Sequence, residues 1–395
     1  MVPKGWKIVT LKDLLDGQIK NGYSPNATDS ETGYWVLSLG ALADEGINSS
    51  GIKPVLPEEK VLQNLLKKDD FLVSRSNTPD KVGRSIRFKN EIENCSYPDL
   101  MMRFRIDDTK ADKEFIEQQL KSSTVRAYFK NCAAGSSSTM VKINKGILEK
   151  TPIVVPPIKE QKKIAQVLFA WDKAIVATEK LLTNSQLQKK AMMQKLLTGK
   201  KRLLDERGVR YGGEWHRAEL GAVLDYMQPT PYLVDSTDYN DSYSIPVLTA
   251  GKSFILGYTN EEHGIYHAPL PAIIFDDFTT DSKFVDFEFK AKSSAMKILT
   301  AKKGVSAKYI FEAMQMLKFK IGGHQRHWIS IYSNLVIPIP DAKEQQKIAS
   351  ALSTADAEIS TLEKKLACLK EEKKALMQQL LTGKRRVKMD EAVAA

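Results

Sequence analysis

The chain has 395 residues, enough for two or three domains, and 42% of them are hydrophobic, which suffices for ordinary buried cores. No run of eighteen apolar residues is present and the N-terminal stretch is too polar for a signal peptide, so the sequence argues against a membrane or secreted protein. Cys95, Cys132 and Cys368 are widely spaced, which argues against a disulfide framework and predicts a cytoplasmic location. The net charge of +11 is compatible with a nucleic-acid partner but does not establish one.

The first predicted unit covers residues 1–157 and mixes strands with helix. It opens on the segment GWKIVTLKDLLD, around Trp6, and closes on the proline-ended run TPIVVPPIKEQ. A helix is predicted at Lys113–Phe129. Apolar runs bounded by turn residues predict strands at Tyr34–Leu39, Asp70–Arg75 and Leu100–Ile106.

A long helix is predicted over residues 158–199, because apolar residues recur there at alternating steps of four and three. Thr178 and Ser185 interrupt this seam, and Gly199 stands where a glycine would end the helix. About 38 residues at a rise of 1.5 Å give a helix of roughly 57 Å. The seam residues are Ile164, Leu168, Trp171, Ile175, Leu182, Met192 and Leu196.

The second predicted unit covers residues 200–342. It opens on EWHRAELGAVLD, around Trp215, and closes on NLVIPIPDAKEQ. A short helix is predicted at Ala307–Phe319. The predicted strands are Ile245–Thr249, Ala272–Asp276 and Phe284–Phe289.

A second long helix is predicted over residues 343–383, followed by a basic, flexible tail at 384–395. Its apolar seam is more regular than that of the first helix, and Gly383 stands at its end. The seam residues are Ile348, Leu352, Ile359, Leu362, Leu366, Leu369, Leu376 and Leu380.

The two long helices are copies of one another, 184 positions apart, with 22 of 42 aligned residues identical. Since the first helix leaves the first unit and reaches the second, the other helix must run back if the two seams pair. We therefore predict an α+β fold in which two globular mixed α/β domains are separated by an antiparallel coiled coil, with a pseudo-twofold axis. The alternative is two core helices of separate domains, but such helices usually run 8–20 residues.

Several motifs together resemble one known family. The helix entries carry Glu160–Gln161 and Glu344–Gln345, both helices exit on LLTGK, and both units open on a tryptophan. The second unit also contains AIIFDDFTTDSKFVDFEFKAKSSAM and the segment QRHWIS at Gln325–Ser330. This combination resembles the DNA-specificity subunit of type I restriction–modification systems over essentially the whole chain.

The resemblance implies two target-recognition domains that each read one half of a split site in double-stranded DNA. The repeated helices would serve as spacer and docking surface, and this chain would have no catalysis or cofactor of its own. Two modification subunits would bring S-adenosylmethionine and methylate adenine, and a restriction subunit would add cleavage that uses ATP and Mg²⁺. The unlike interiors of the two units predict an asymmetric target.

Candidate DNA-reading residues are the loop side chains suited to base edges, chiefly Arg or Lys on guanine, Asn or Gln on adenine, and adaptable Ser or Thr. In the first unit they are Lys20, Asn21, Tyr23, Ser74, Arg75, Asn77, Thr78, Lys81, Arg84 and Ser137. In the second unit they are Gln228, Thr230, Tyr232, Thr249, Gly251, Lys252, Thr279, Thr280, Lys283, Gln325 and Arg326. Asp276 and Asp277 would either accept a hydrogen bond from cytosine or cap the turn after their strand.

Two other classes of function remain open from the sequence. Asp99, Asp108 and Lys110 resemble the acid–acid–lysine layout of metal-dependent nucleases, although the pattern is short and occurs by accident. A coiled-coil assembly scaffold with no DNA role is the other alternative. The histidine pairs His263/His267 and His324/His327 are predicted to be surface or DNA-facing residues, so no metal site is expected.

Overall fold

The structure, a computed structural model, describes residues 2–44, 46–137, 140–249, 251, 253–317 and 327–388, and the statements below concern these residues. The chain divides into two compact units. Unit 1 contains Met1–Glu179 and Lys365–Ala395, and unit 2 contains Lys180–Lys364. Each unit therefore holds one predicted globular domain together with one end of each long helix. Among the described residues, no helix combines the length and the apolar content that crossing a membrane requires.

Unit 1 is built mainly from short strands. These are β1 (Lys7–Thr10), β2 (Lys20–Asn21), β3 (Trp35–Leu37), β4 (Leu42–Ala43), β5 (Gly46–Ile47), β6 (Ile52–Pro54), β7 (Phe71–Ser74), β8 (Ser76–Asn77), β9 (Ser85–Arg87), β10 (Cys95–Ser96), β11 (Met101–Phe104), β12 (Ala134–Ser137), β13 (Met140–Lys142) and β14 (Pro152–Val155). The helices are α1 (Glu59–Gln63), α2 (Lys113–Lys121), α3 (Ser123–Cys132), α4 (Lys145–Glu149) and the first part of the long α5 (Ile158–Leu196).

The centre of unit 1 is an antiparallel sheet of order β2–β11–β7–β9. Its side chains alternate between two cores, as the period of a strand requires. Phe71 and Val73 join the core that contains Phe115 of α2, whereas Leu72 faces a second core with Leu37. That second core is covered by the sheet β10–β3–β6, and smaller sheets of order β1–β14, β12–β13–β8 and β4–β5 complete the unit.

Unit 2 begins in the second part of α5 and contains fewer strands. They are β15 (His216–Glu219), β16 (Leu224–Met227), β17 (Ile245–Leu248), β18 (Ile255–Thr259), β19 (Ala272–Asp276), β20 (Ser282–Val285), β21 (Lys290–Ala291), β22 (Met296–Ala301) and β23 (Val336–Ile339). The helices are α6 (Leu220–Val223), α7 (Ala307–Gln315), α8 (His327–Ser330) and the long α9 (Ala342–Leu380), whose last part lies in unit 1.

The two units share one topology, which their sequences do not reveal. The central sheet of unit 2 has the order β16–β22–β19–β20, entirely antiparallel, and matches β2–β11–β7–β9 strand for strand along the chain. The sheet β18–β17–β21 matches β6–β3–β10, with one antiparallel and one parallel pairing in each. The pair β15–β23 matches β1–β14. Equivalent strands and loops of the two units can therefore be compared directly.

The predicted long helices are confirmed as α5 and α9, and Gly199 and Gly383 follow them with φ of 71° and 74°. Antiparallel ion pairs join the two helices within each unit. In unit 1, Asp172 pairs with Lys373 at 2.6 Å and Glu179 with Lys370 at 2.7 Å. In unit 2, Lys189 pairs with Asp356 at 2.5 Å.

The predicted seam is also the less exposed face of each helix. Every seam residue is buried or half-buried, including Ile359, Leu362, Leu366 and Leu369 in the middle of α9. The two polar interruptions are buried as well, since Thr178 is 4% and Ser185 8% exposed. The Thr178 hydroxyl donates to the carbonyl of Ala174 at 2.8 Å and the Ser185 hydroxyl to Glu358 on α9 at 3.0 Å. Hydrogen bonds thus replace the apolar contacts that the first helix lacks there.

A buried glutamate organises each helix entry. In unit 1, Glu160 accepts a hydrogen bond from the Trp6 indole at 3.2 Å and two from the Arg386 guanidinium at 2.5 and 2.7 Å. In unit 2, Glu344 accepts from Trp215 at 2.9 Å and from Arg202 at 2.6 Å twice. We call each Trp–Glu–Arg set a helix-entry clasp. Because the arginine follows the end of one long helix and the glutamate begins the other, each clasp ties both helices to the first strand of its unit.

The neighbouring glutamine performs a second repeated function. Gln161 accepts the backbone N–H of Asp112 at 2.9 Å, and Gln345 accepts that of Ser306 at the same distance. Asp112 and Ser306 are the N-caps of α2 and α7. The glutamines therefore fix the helix that covers each central sheet against the start of a long helix.

Two of the predicted elements differ from the structure. The predicted helix Lys113–Phe129 is two helices, because Ser122 is extended (ψ 150°) and its side chain accepts the N–H of Val125 as the N-cap of α3. The predicted strand Phe284–Phe289 is wrong beyond Val285, since β20 pairs with β19 only over Ser282–Val285. The last two residues of the predicted helix Ala307–Phe319 lie outside the described residues.

The unit 2 clasp should stabilise the fold measurably. Glu344 is fully buried, so Glu344→Gln leaves the Arg202 guanidinium without its charged partner. We expect the free energy of unfolding of unit 2, measured in urea, to fall by about 2–3 kcal/mol. The control Glu363→Gln, at an exposed position of the same helix, should change it by less than about 0.5 kcal/mol. Equal effects of the two substitutions would contradict the clasp.

The ion-pair network around Asp356 should give unit 2 a defined response to acid. Burial alone raises the pKa of Asp356, but hydrogen bonds from Lys189 and Lys308 outweigh it and hold the pKa below its ordinary value of 3.8. The stabilisation is therefore present above pH 3.8 and is lost as the pH falls through the lowered pKa. We expect Asp356→Asn to lower the unfolding free energy by about 1 kcal/mol at pH 7, a figure reduced for solvent exposure. This difference should shrink below pH 3.8, and a difference independent of pH would contradict the assignment.

Candidate nucleic-acid interface

In unit 1 the segment between β7 and β9 presents Arg75, a cation without a partner among the described residues. Arg75 is held by its backbone, which donates to the Leu100 carbonyl at 2.8 Å and accepts from the Ile143 N–H at 2.9 Å. Its guanidinium makes no hydrogen bond or ion pair with any described residue. A rigid backbone with an unpartnered Arg side chain suits recognition of a base edge or a phosphate.

Other predicted residues of this segment are occupied within the protein. Arg84 donates to the Leu42 carbonyl at 3.2 Å and lies 3.4 Å from Asp44, so it ties the β4–β5 hairpin to the segment. Ser74 is fully buried, and its hydroxyl accepts from Asn77 at 3.3 Å. Ser74 is therefore not accessible to a base, and we exclude it from the candidate interface. The predicted strand Asp70–Arg75 included Ser74, but the sequence did not show that its side chain is buried.

The remaining predicted residues of unit 1 lie at the surface. Lys20 and Asn21 are exposed on β2, the edge strand of the central sheet, and Thr78 and Lys81 are exposed in the β8–β9 loop. The Tyr23 hydroxyl donates to Glu58 at 3.2 Å, and the charge of Glu58 raises the pKa of Tyr23. Ser137 ends β12, and its side chain lies outside the described residues.

In unit 2, Gln228 and Thr230 are exposed after β16, while Tyr232 is half-buried with its ring 5.0 Å from that of Tyr266. Thr249 shapes the turn after β17: its hydroxyl donates to the Ser253 carbonyl at 3.1 Å and accepts from the Gly251 N–H at 3.0 Å. Lys252, Gln325 and Arg326 lie outside the described residues.

Side-chain hydrogen bonds to the backbone shape the loop between β19 and β20. Asp276 accepts the backbone N–H groups of Phe278 at 2.8 Å and Thr279 at 3.1 Å, so it caps the turn. Asp277 is 1% exposed, accepts the Trp328 N–H at 2.8 Å and lies 3.4 Å from the buried Lys297 ammonium. Asp277 is buried and the half-buried Asp276 already caps the turn, which favours the capping interpretation over contact with cytosine.

This loop also exposes Phe278, a residue that the sequence analysis did not select. Phe278 is 38% exposed between the two aspartates and the exposed Thr279. Thr280 has a φ of 60°, and Lys283 on β20 is half-buried with no hydrogen bond or ion pair to any described residue. A search for polar base-reading side chains passes over a phenylalanine, although an apolar residue at a loop tip is itself a signal.

The nuclease interpretation is wrong. Asp99 precedes β11 and Asp108 follows it, so the two carboxylates lie at opposite ends of a strand. Asp99 accepts from the Ser24 hydroxyl at 2.5 Å, and Asp108 pairs with Lys113 at 2.8 Å. Lys110 pairs with Asp107 at 3.4 Å. These residues cannot together hold a catalytic metal ion.

Two surface histidines in unit 2, His263 and His267, pair with carboxylates. His263 lies 2.8 Å from Asp235, and His267 lies 2.8 Å from Glu288. Asp235, Glu261 and His263 form a cluster with the geometry for a cation, but the buried Lys290 ammonium already donates to Glu261 and, at 2.8 Å, to the His263 carbonyl. His324 and the side chain of His327 lie outside the described residues.

Comparison with known proteins decides the family. The family model described as "Type I restriction modification DNA specificity domain" matches residues 3–189 and 213–371, which cover most of both units. The chain belongs to this family. It is a specificity subunit, the non-catalytic DNA-recognition component of a type I restriction–modification system.

Individual relatives agree with this assignment. The specificity subunit of EcoR124I/EcoR124II from Escherichia coli is 55% identical over 139 residues, a match that covers 34% of each chain. The putative MjaX specificity subunit of Methanocaldococcus jannaschii is 25% identical over 420 residues, covering 98% of this chain and 95% of the relative. The crystal structure of the S subunit from M. genitalium has the same fold, with a TM-score of 0.68 at 15% identity over 98% of this chain and 97% of that one.

Arg75 and Arg84 should respond differently to substitution, although they belong to the same segment of the specificity subunit. We expect Arg84→Ala to lower the free energy of unfolding of unit 1 by about 1–2 kcal/mol, because it removes the hydrogen bond to the Leu42 carbonyl and the ion pair with Asp44. Arg75→Ala should change the unfolding free energy by less than about 0.5 kcal/mol but weaken DNA binding by about 1–3 kcal/mol. Urea unfolding and duplex titration measure the two effects. Equal destabilisation by both substitutions would contradict the placement of Arg75.

Proposed function

We propose that this specificity subunit reads an asymmetric, bipartite DNA site, with unit 1 on one half-site and unit 2 on the other. The shared topology supports this proposal most directly. Two copies of one fold, each closed by the same clasp, present chemically different loops, with Arg75 in unit 1 and Phe278 and Thr279 in unit 2. Different loops on equivalent scaffolds suit two different half-sites.

The long helices would act as the spacer between the readers. Ion pairs in antiparallel order within each unit and the buried seams support an antiparallel coiled coil with a pseudo-twofold axis. Bases between the half-sites would then be contacted through phosphates only, and the net charge of +11 would supply the salt-dependent part of the affinity.

The chemistry would belong to partner subunits. We propose that two modification subunits dock on the helices and carry S-adenosylmethionine for adenine methylation. A restriction subunit would carry the ATP and Mg²⁺ chemistry of translocation and cleavage. The complex would act in the cytoplasm. The supposed nuclease motif gives the specificity subunit no catalytic arrangement, since its carboxylates are separated by β11.

The function can be tested by sequencing methylated DNA from cells that express the modification subunits with and without this chain. We expect one split adenine-methylation motif that appears only when the chain is present. A variant with Arg75→Ala should change or relax one half of that motif and leave the other half intact. Identical methylation with and without the chain would refute the proposed function.

Helix length should determine the spacing of the two half-sites. A heptad inserted after Glu179 in α5 and another after Lys364 in α9 would lengthen both helices by about 10 Å, at a rise of 1.5 Å per residue. This corresponds to about three base pairs at 3.4 Å each. We expect the methylated motif to keep both half-sites but to contain a spacer about three base pairs longer. A properly assembled variant that methylates the original spacer would show that the helices do not set the distance.

A further inference from the structure

Equivalent loops of the two units present side chains of different chemical type. In each unit the third and fourth strands of the central sheet, counted across the sheet, are consecutive strands of that sheet along the chain. They are β7 and β9 in unit 1, with the two-residue β8 of another sheet between them, and β19 and β20 in unit 2. In unit 1 this connection offers the unpartnered Arg75 guanidinium. In unit 2 it offers an aromatic ring and a threonine, Phe278 and Thr279. Since the two units share one strand order, we attribute the difference between these side chains to what each loop recognises.

Two of the three acidic residues around the unit 2 loop are occupied within the protein, and the third, Asp281, is exposed. Asp276 stabilises the turn. Its side chain accepts two backbone N–H groups, and its backbone carbonyl accepts the N–H of Thr280 at 2.9 Å. Asp277 points inward to Trp328 and Lys297 and is 1% exposed. An approaching DNA strand therefore meets the side chains of Phe278 and Thr279, with the single exposed carboxylate of Asp281 at the end of the loop.

Phe278 stands apart from the other aromatic residues around the loop. Phe275, Trp328 and Tyr332 pack together in the core, with the Phe275 ring 5.2 Å from Trp328 and 4.7 Å from Tyr332. Phe278 is 38% exposed and is not part of that cluster. Its backbone is fixed by the cap on Asp276, so the ring is presented from an ordered turn. The half-buried Lys283 on the adjoining strand, unpartnered among the described residues, supplies positive charge complementary to a DNA backbone.

We propose that the β19–β20 loop reads a thymine through its 5-methyl group, which packs against the Phe278 ring and the Thr279 methyl. This inference rests on the proposed DNA-reading function and specifies it further for unit 2. The thymine methyl is the one apolar group that a base pair presents in the major groove, and phenylalanine and threonine side chains are suitable contacts for it. The half-site read by unit 2 therefore contains at least one A·T pair whose thymine faces this loop.

The test uses the assembled complex of the full chain with its modification subunits and a duplex that carries the methylated motif found by sequencing. Each thymine of the two half-sites is replaced in turn by deoxyuridine, which removes only the 5-methyl group. We expect one replacement, in the half-site that unit 2 reads, to weaken binding about threefold to fivefold, as burial of a single methyl group predicts. For Phe278→Ala the preference for the thymine duplex over the deoxyuridine duplex should be much reduced, because only the Thr279 methyl group then remains in contact.

Two further variants make the test specific. Thr279→Ser removes a methyl group but keeps the hydroxyl, so it should reduce the preference for thymine without abolishing it. Phe287→Ala is the matched control, because Phe287 in the same unit is 37% exposed but follows β20. The control should retain the full preference for thymine.

Three results would overturn the thymine assignment while leaving the proposed function intact. The first is specific binding that no thymine-to-deoxyuridine replacement changes. The second is a Phe278→Ala complex that still prefers thymine by the wild-type factor. The third is Phe278→Ala impairing assembly with the modification subunits while DNA preference is unchanged, which would make the loop a protein-docking surface. Binding of the wild-type complex that is independent of sequence would instead refute the proposed function, and this inference with it.

Discussion

Each long helix begins with a buried carboxylate that connects distant segments of its own unit. Glu160 and Glu344 are 3% and 0% exposed, and an unpaired carboxylate at such positions would be strongly destabilising. Each is satisfied by one indole and one guanidinium, and these come from segments far apart in the chain. The clasp therefore requires three segments to meet at one point. These are the first strand of a unit, the start of one long helix and the residues that follow the end of the other long helix. Every unit must be closed by both helices.

This constraint explains how two similar folds tolerate unlike sequences. The clasp, the adjacent glutamine and the first and last strands are repeated, and they fix the central sheet and its covering helix in the same way in both units. The loops beyond the sheet are not needed for this closure. In unit 1 they carry Arg75, and in unit 2 they carry Phe278, so the readers can differ while the scaffold stays the same.

The repeated parts of the fold could be predicted from the sequence, and the unlike interiors could not. Heptad spacing located both helices and their terminal glycines, because that periodicity is local. The common strand order of the two units escaped prediction, since sheet order depends on pairings between residues far apart in the chain and their interior sequences do not resemble each other. Ser122 divided a predicted helix because a single side-chain cap overrode a favourable apolar pattern.

The candidate site shows the same division. Residue type correctly selected exposed positions such as Lys20, Thr78 and Thr279, but it could not distinguish Arg75 from Arg84, which makes internal contacts with Leu42 and Asp44. It also selected the buried Ser74 and omitted Phe278, because the expectation was limited to hydrogen-bonding side chains. Burial and existing partners decide which side chains remain available to DNA, and both depend on the tertiary fold.

The most direct test of the account is the methylation motif of a chain in which both units carry the same reader. Residues 216–339, from β15 to β23, would be replaced by residues 7–155, from β1 to β14, so that Trp215, Arg202 and Glu344 remain to close the new unit. If two equivalent scaffolds each read one half-site, the modification complex containing this chain should methylate a motif made of two copies of the unit 1 half-site. An assembled complex that keeps the original asymmetric motif would contradict the account.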